Sequence, residues 1–97
     1  MLTVVETQTF QKQVAKVWTQ EERHAFIDWI AANPEAGDVI PGGGGMRKVR
    51  WAVAGKGKRG GARIIYITFL DAGNLALLSV YTKAERQNLL PSEVKRS

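Results

Sequence analysis

The chain contains no cysteine, one histidine and three prolines among its 97 residues. Without cysteine it forms neither disulfides nor thiolate zinc sites, and a cytoplasmic location is therefore expected. The single histidine, His24, cannot build a metal cluster by itself, so we predict no metal and no cofactor. No apolar run approaches the length of a membrane span, and the first residues lack the basic region that opens a signal or transit peptide.

Acidic residues are missing from the middle of the chain. Residues 46–70 contain seven of the fourteen Lys and Arg residues and no Asp or Glu, whereas residues 1–45 carry a net charge of −3. The seven are Arg47, Lys48, Arg50, Lys56, Lys58, Arg59 and Arg63. So dense a basic segment predicts a polyanion as partner, with a merely solvated basic turn as the alternative.

Two helices are predicted in the first third of the chain. The first follows a capping threonine, Thr7 or Thr9, and has an apolar stripe formed by Phe10, Val14, Val17 and Trp18. Thr19 followed by Glu22 fits a capping box that opens the second helix, and Pro34 disfavours helix at the residue before it. Both helices are interpreted as packing elements of a single domain, residues 1–97.

Strands are predicted around these helices. Residues 2–5, 47–53, 62–70 and 75–81 are rich in β-branched and aromatic residues, and residues 34–45 are interpreted as an ordered loop. Alternation puts Lys48 and Arg50 on one side of their strand, with Trp51 facing the core. Core packing is also expected of Tyr66. The fold prediction is α+β, ordered β-α-α-β-β-β, with two N-terminal helices on one face of a mostly antiparallel four-stranded sheet.

Four short segments carry a family resemblance: residues 37–42 (GDVIPG), 44–50 (GGMRKVR), 55–66 (GKGKRGGARIIY) and 81–85 (YTKAE). They resemble the bacterial toxins of the RelE/ParE superfamily, and most closely its HigB-like RelE branch, over residues 1 to about 92. The resemblance implies a RelE-like domain and a metal-independent endoribonuclease that cuts mRNA on the ribosome and inhibits translation. It also implies three partners, the ribosome, mRNA and an antitoxin encoded beside the toxin.

The resemblance also implies a set of site residues. The candidate catalytic residues are Lys48, Arg50, Arg63 and Lys83, and the candidate RNA-binding residues are Arg47, Lys56, Lys58, Arg59, Tyr81 and Arg86. Ala84 stands where the family often has an arginine, and the tyrosine expected later is absent. The resemblance therefore assigns no C-terminal general acid, and Tyr81 is only a positional substitute.

Basic residues suffice for cleavage of RNA, because the 2′-hydroxyl of RNA can attack the adjacent phosphate. The protein then supplies orientation, a proton acceptor and stabilisation of the transition-state charge. Lys48 is a candidate general base, with the identity of the base left open, and Arg50 and Arg63 are the candidate phosphate ligands. Two alternatives stay open: a ParE-like toxin that inhibits DNA gyrase, and a catalytically inactive member that binds only RNA or an antitoxin.

Overall fold

The computed structural model describes residues 1–51 and 61–82. Its elements are β1 (Thr3–Glu6), α1 (Gln8–Val14), α2 (Gln20–Ala32), β2 (Asp38–Val39), β3 (Met46–Trp51), β4 (Ala62–Phe69), a 3₁₀ turn (Leu70–Ala72) and β5 (Asn74–Thr82). The sheet has five strands in the order β1-β5-β4-β3-β2. β1 runs parallel to β5, and all other pairs are antiparallel. The predicted α+β fold is confirmed.

The number of strands differs from the prediction, because β2 lies within the segment that was interpreted as a loop. Asp38 pairs with Lys48 and Val39 pairs with Arg47. The backbone N–H of Ile40 then donates to the carbonyl of Met46 at 2.9 Å. Two residues have too little local preference to form a strand, so β2 exists only because β3 offers it an edge.

Side-chain caps begin both helices. The Thr7 hydroxyl accepts a hydrogen bond from the Phe10 N–H at 3.3 Å and donates to the Leu77 carbonyl at 2.7 Å, which ties the start of α1 to β5. The capping box of Thr19 and Glu22 at α2 is confirmed. α1 ends at Val14, earlier than its apolar stripe predicted, and Trp18 reaches the core from the turn that follows.

The main core lies between the helices and one face of the sheet. Phe10, Phe26, Ile30, Ile64 and Leu77, among others, are completely buried there. Trp51 of β3 joins this core through Phe26 and Trp29, with ring centroids 5.5 and 4.8 Å away. Tyr66 is also completely buried. Core packing of Trp51 and Tyr66 is therefore confirmed, and the opposite face of the sheet is left without a helix among the described residues.

No helix within residues 1–51 and 61–82 is both long and apolar enough to cross a membrane.

Candidate nucleic-acid interface

Three basic residues meet on the sheet face that the helices leave open. In the pairing of β3 with β4, Arg50 lies directly opposite Arg63, and Lys48 lies opposite Ile65. Val49 and Trp51 belong to the helix-side core, so the alternate residues Lys48 and Arg50 point the other way. Opposite residues of paired strands share a face, and Arg63 is therefore on the open face as well.

The facing arginines carry an electrostatic cost. Side chains that lie directly opposite each other in an antiparallel pair have Cβ atoms about 4.5–5.5 Å apart, and like charges at that spacing repel. Arg50 is exposed and Arg63 is half-buried. Within residues 1–51 and 61–82, the ion pair found within 4.0 Å joins Arg23 to Glu6 on the helix side. The arginine pair is thus free to bind an added anion. A guanidinium group suits phosphate because it can donate two parallel hydrogen bonds to two phosphate oxygens.

Tyr81 extends the row of facing residues by one strand. It lies opposite Arg63 in the pairing of β4 with β5. Its side chain is only 3% exposed and packs with Met46 and Ile65 in a small core on the open side of the sheet. Tyr81 therefore borders the basic surface on the β5 side, and its contact with RNA stays a prediction.

Arg47 lies on the other face of β3, away from the other basic residues. Its Nη1 donates to the carbonyl of Gly37 at 2.8 Å. Opposite Arg47, the Tyr66 hydroxyl accepts from the Gly37 N–H at 2.8 Å and donates to the Pro34 carbonyl at 2.9 Å. We call these contacts the Gly37 clamp. Arg47 therefore holds the loop after α2, and its contact with RNA stays a prediction.

The environment of the Tyr66 hydroxyl favours its neutral form. Burial raises the pKa of Tyr66 above its usual value of 10.0, and the hydrogen bond from Gly37 and the charge of Arg47 oppose that rise only in part. The hydroxyl therefore keeps its proton and can donate to Pro34 while it accepts from Gly37.

Asp38 was missed by the sequence reasoning. It is exposed on β2 and lies directly opposite Lys48, so it adds a carboxylate to the rim of the basic face. The charge pattern alone indicated a face without acids, since Asp38 precedes the basic segment by several residues. Alternation is not visible in a strand of two residues, and no local signal therefore indicated which side Asp38 occupies.

Five of the candidate residues lie outside the described parts of the chain: Lys56, Lys58, Arg59, Lys83 and Arg86. Their roles stay predictions. The described members of the predicted catalytic set are Lys48, Arg50 and Arg63, and these share one face. Among residues 1–51 and 61–82, no group of three or more His, Cys, Asp or Glu side chains has a spacing that suits a metal ion.

Comparison with known proteins indicates the fold. No family model matches the chain. The free-state structure of an E. coli toxin RelE variant, in which two arginines are replaced by alanine, matches with a TM-score of 0.67 and 15% sequence identity. The match covers 98% of this chain and 95% of that one. The chain therefore has a RelE-like fold, and at this identity the likeness extends to the fold alone.

Proposed function

We propose that the chain is a RelE-like toxin that cleaves messenger RNA on the ribosome and so inhibits translation. The observation that carries this proposal is the facing pair of Arg50 and Arg63 on the open sheet face, with Lys48 beside them. A structural role does not explain the pair, because each arginine weakens the fold by repelling the other. A bound phosphate removes the repulsion and gains paired hydrogen bonds.

The geometry suits one step, the attack of a 2′-hydroxyl on the neighbouring phosphate. That reaction passes through a phosphorane-like state in which the phosphate oxygens gain negative charge. Arg50 and Arg63, held on adjacent strands, are the groups that stabilise this charge, and Lys48 adds a third positive charge two residues along β3. Rigid strands keep these donors in position before the substrate arrives. Such prepositioning lowers the barrier, because the donors do not have to be reoriented during the reaction.

The ribosome has a defined part in this proposal. A catalyst built mainly from lysine and arginine binds phosphates along any RNA, so it selects poorly among them. Cleavage is faster when another surface orients the scissile nucleotide for in-line attack, because orientation raises the effective concentration of the reacting groups. We therefore infer that the ribosome supplies the orientation and the chain supplies the charge.

The testing experiment adds the parent chain and two variants to a translation extract and maps cleavage of ribosome-bound message. We expect the parent to stop translation and cut the bound message. Arg63→Ala is expected to lower single-turnover cleavage by roughly 10²-fold, the effect of losing one oriented donor, while ribosome binding barely changes. Lys12→Ala removes an exposed base from α1, away from the basic face, and is expected to behave as the parent.

Three results would contradict the proposal. One is equal cutting of naked RNA, and another is an Arg63→Ala variant that cuts at the parent rate once saturated. The third is inhibition of DNA gyrase supercoiling without any cut in RNA, which would favour the ParE-like alternative.

The second proposed partner is an antitoxin. The open face carries Lys48, Arg50 and Arg63 against the single carboxylate of Asp38 among the described residues of its strands. A partner that blocks this face is expected to present acidic residues to it, because a basic surface binds best to a surface of opposite charge.

A further inference from the structure

We infer that Asp38 is the proton acceptor of the cleavage reaction, and this inference rests on the proposed function. It replaces the expectation that Lys48 is the general base. Asp38 takes the proton from the attacking 2′-hydroxyl, while Lys48, Arg50 and Arg63 bind the phosphate.

The strand register puts Asp38 at the edge of the basic face. Asp38 is opposite Lys48, and Lys48 is two residues before Arg50 on the same side of β3. Two residues along a strand span about 6.6–6.8 Å, and paired strands are about 4.8 Å apart. Combined, these spacings put the backbones of Asp38 and Arg50 roughly 8 Å apart, a gap that their two side chains and one ribose can span.

The Gly37 clamp holds the Asp38 backbone in position. Gly37 is buried, and both its N–H and its carbonyl are hydrogen-bonded, to Tyr66 and Arg47. A Cβ atom at Gly37 would lie 2.9 Å from the Lys48 carbonyl oxygen and 2.9 Å from the Tyr66 hydroxyl. Glycine therefore allows the chain to approach β3 closely just before Asp38. The backbone that carries the Asp38 carboxylate is thus held by the Gly37 clamp on the helix side and by its pairing with β3.

The Asp38 carboxylate is open to a substrate. The side chain is exposed, and Asp38 and Lys48 are not joined by an ion pair within 4.0 Å in the part of the chain that the structure describes. The other acid of the described strands is Glu6, which pairs with Arg23 on the helix side. Asp38 is therefore the carboxylate that the described strands place on this face.

Ordinary side-chain chemistry favours this assignment. An aspartate is ionised near pH 7 and can accept a proton at once, whereas a lysine amine and a tyrosine phenol still hold their protons. Tyr81, the phenol on this face, is buried. An ionised carboxylate can accept the proton directly, because it does not first have to lose a proton of its own.

The step balances as follows. The 2′-O–H bond breaks, its proton goes to an Asp38 carboxylate oxygen, and the 2′-oxygen forms a bond to phosphorus. The bond from phosphorus to the 5′-oxygen breaks, the 5′-oxygen keeps the electron pair, and it takes a proton from water. The products are a 2′,3′-cyclic phosphate and a 5′-hydroxyl end. Asp38 then returns its proton to the hydroxide left in solution.

The charged and titratable groups that neighbour Asp38 are few. Lys48 faces it directly from β3, and Arg50 follows on the same face. Arg47 and Tyr66 bind Gly37 from the opposite face, and the pKa of Tyr66, which is raised mainly by burial, is raised further by the charge of Asp38. A carboxylate acceptor is expected to give a reaction rate that is independent of pH above about pH 6, where an ordinary aspartate side chain is ionised.

The test is single-turnover cleavage on programmed ribosomes between about pH 6 and pH 8.5. The parent rate is expected to be flat with pH. Asp38→Asn is expected to cut roughly 10²–10⁴-fold more slowly, the usual effect of losing a general base, with a residual rate that rises with pH as other acceptors take over. Asp38→Glu keeps the carboxylate and is expected to retain more activity than Asp38→Asn. Asp71→Asn, an exposed change in the 3₁₀ turn, is the matched control and is expected to cut at the parent rate.

Each other outcome overturns the inference. An Asp38→Asn variant within about threefold of the parent at saturation shows that no proton goes to Asp38, given that loss of a general base costs at least 10²-fold. A parent rate that rises about tenfold per pH unit indicates an amine acceptor instead. If the parent cuts message and only the Asp38 results disagree, the proposed function stands and this inference falls. If the parent cuts no message, both fall.

Discussion

Replacement of Arg50 by glutamine is expected to make the fold more stable and cleavage slower. Arg50 is exposed and lies opposite Arg63, so its charge serves no described contact and repels its neighbour. Removing it should raise the free energy of unfolding by roughly 0.2–1 kcal/mol, the range for side chains that face each other across two strands. If Arg50 binds phosphate as proposed, cleavage on the ribosome should fall by roughly 10²-fold, because one oriented donor is lost.

Arg47→Gln is the matched comparison, three residues earlier on the same strand. Arg47 lies on the other face and donates to the Gly37 carbonyl at 2.8 Å. Loss of this charged donor leaves the carbonyl of a buried residue without its partner, and the free energy of unfolding should fall by about 1–2 kcal/mol. Two identical substitutions on one strand are therefore expected to change stability in opposite directions.

Urea unfolding with linear extrapolation measures both effects. The gain in Arg50→Gln should shrink between 0.1 M and 1 M salt, since the screening length falls from about 10 to about 3 Å. The loss in Arg47→Gln should change little with salt, because a short hydrogen bond carries it. A loss of stability of about 1 kcal/mol or more in Arg50→Gln would refute the reasoning, since it would mean that the arginine supports the fold.

Two further predictions concern the clamp and the antitoxin. Tyr66→Phe leaves the buried Gly37 N–H without its acceptor, so urea unfolding at pH 7 should show a loss of roughly 1–3 kcal/mol; a loss of only a few tenths would contradict the clamp. Because burial raises the pKa of Tyr66, the contribution of its hydroxyl to the free energy of unfolding is complete below pH 10.0 and is lost as the pH rises through the raised pKa. Tyr66→Phe should not show this alkaline loss. The affinity of the proposed antitoxin for this chain should fall steeply as salt rises, and a salt-independent affinity would exclude pairing through the basic face.

Local signals predicted the elements that depend on a few neighbouring residues. Thr19 and Glu22 form their capping box within one helical turn, so the sequence contains the whole motif. The alternation that separates Lys48 and Arg50 from Trp51 is likewise a property of one strand. For that reason the faces of β3 were correctly predicted without the structure.

Long-range pairing limited the rest of the prediction. β2 depends on β3 for its existence, and so the position of Asp38 opposite Lys48 was not predictable from the segment around it. The prediction grouped Arg47 with the other basic residues of β3, whereas the alternation that places Lys48 on the open face puts Arg47 on the helix side. The Gly37 clamp joins residues 29 positions apart, and no spacing in the sequence indicates it.

Cleavage of a message with one altered nucleotide tests the central claim most directly. The cut site is first mapped on a ribosome-bound message, and a second message then carries a 2′-deoxynucleotide only on the 5′ side of that site. If the basic face directs attack by the 2′-hydroxyl, the parent chain should cut the first message to a 2′,3′-cyclic phosphate and leave the second uncut at that position. Equal cutting of the two messages would contradict the account.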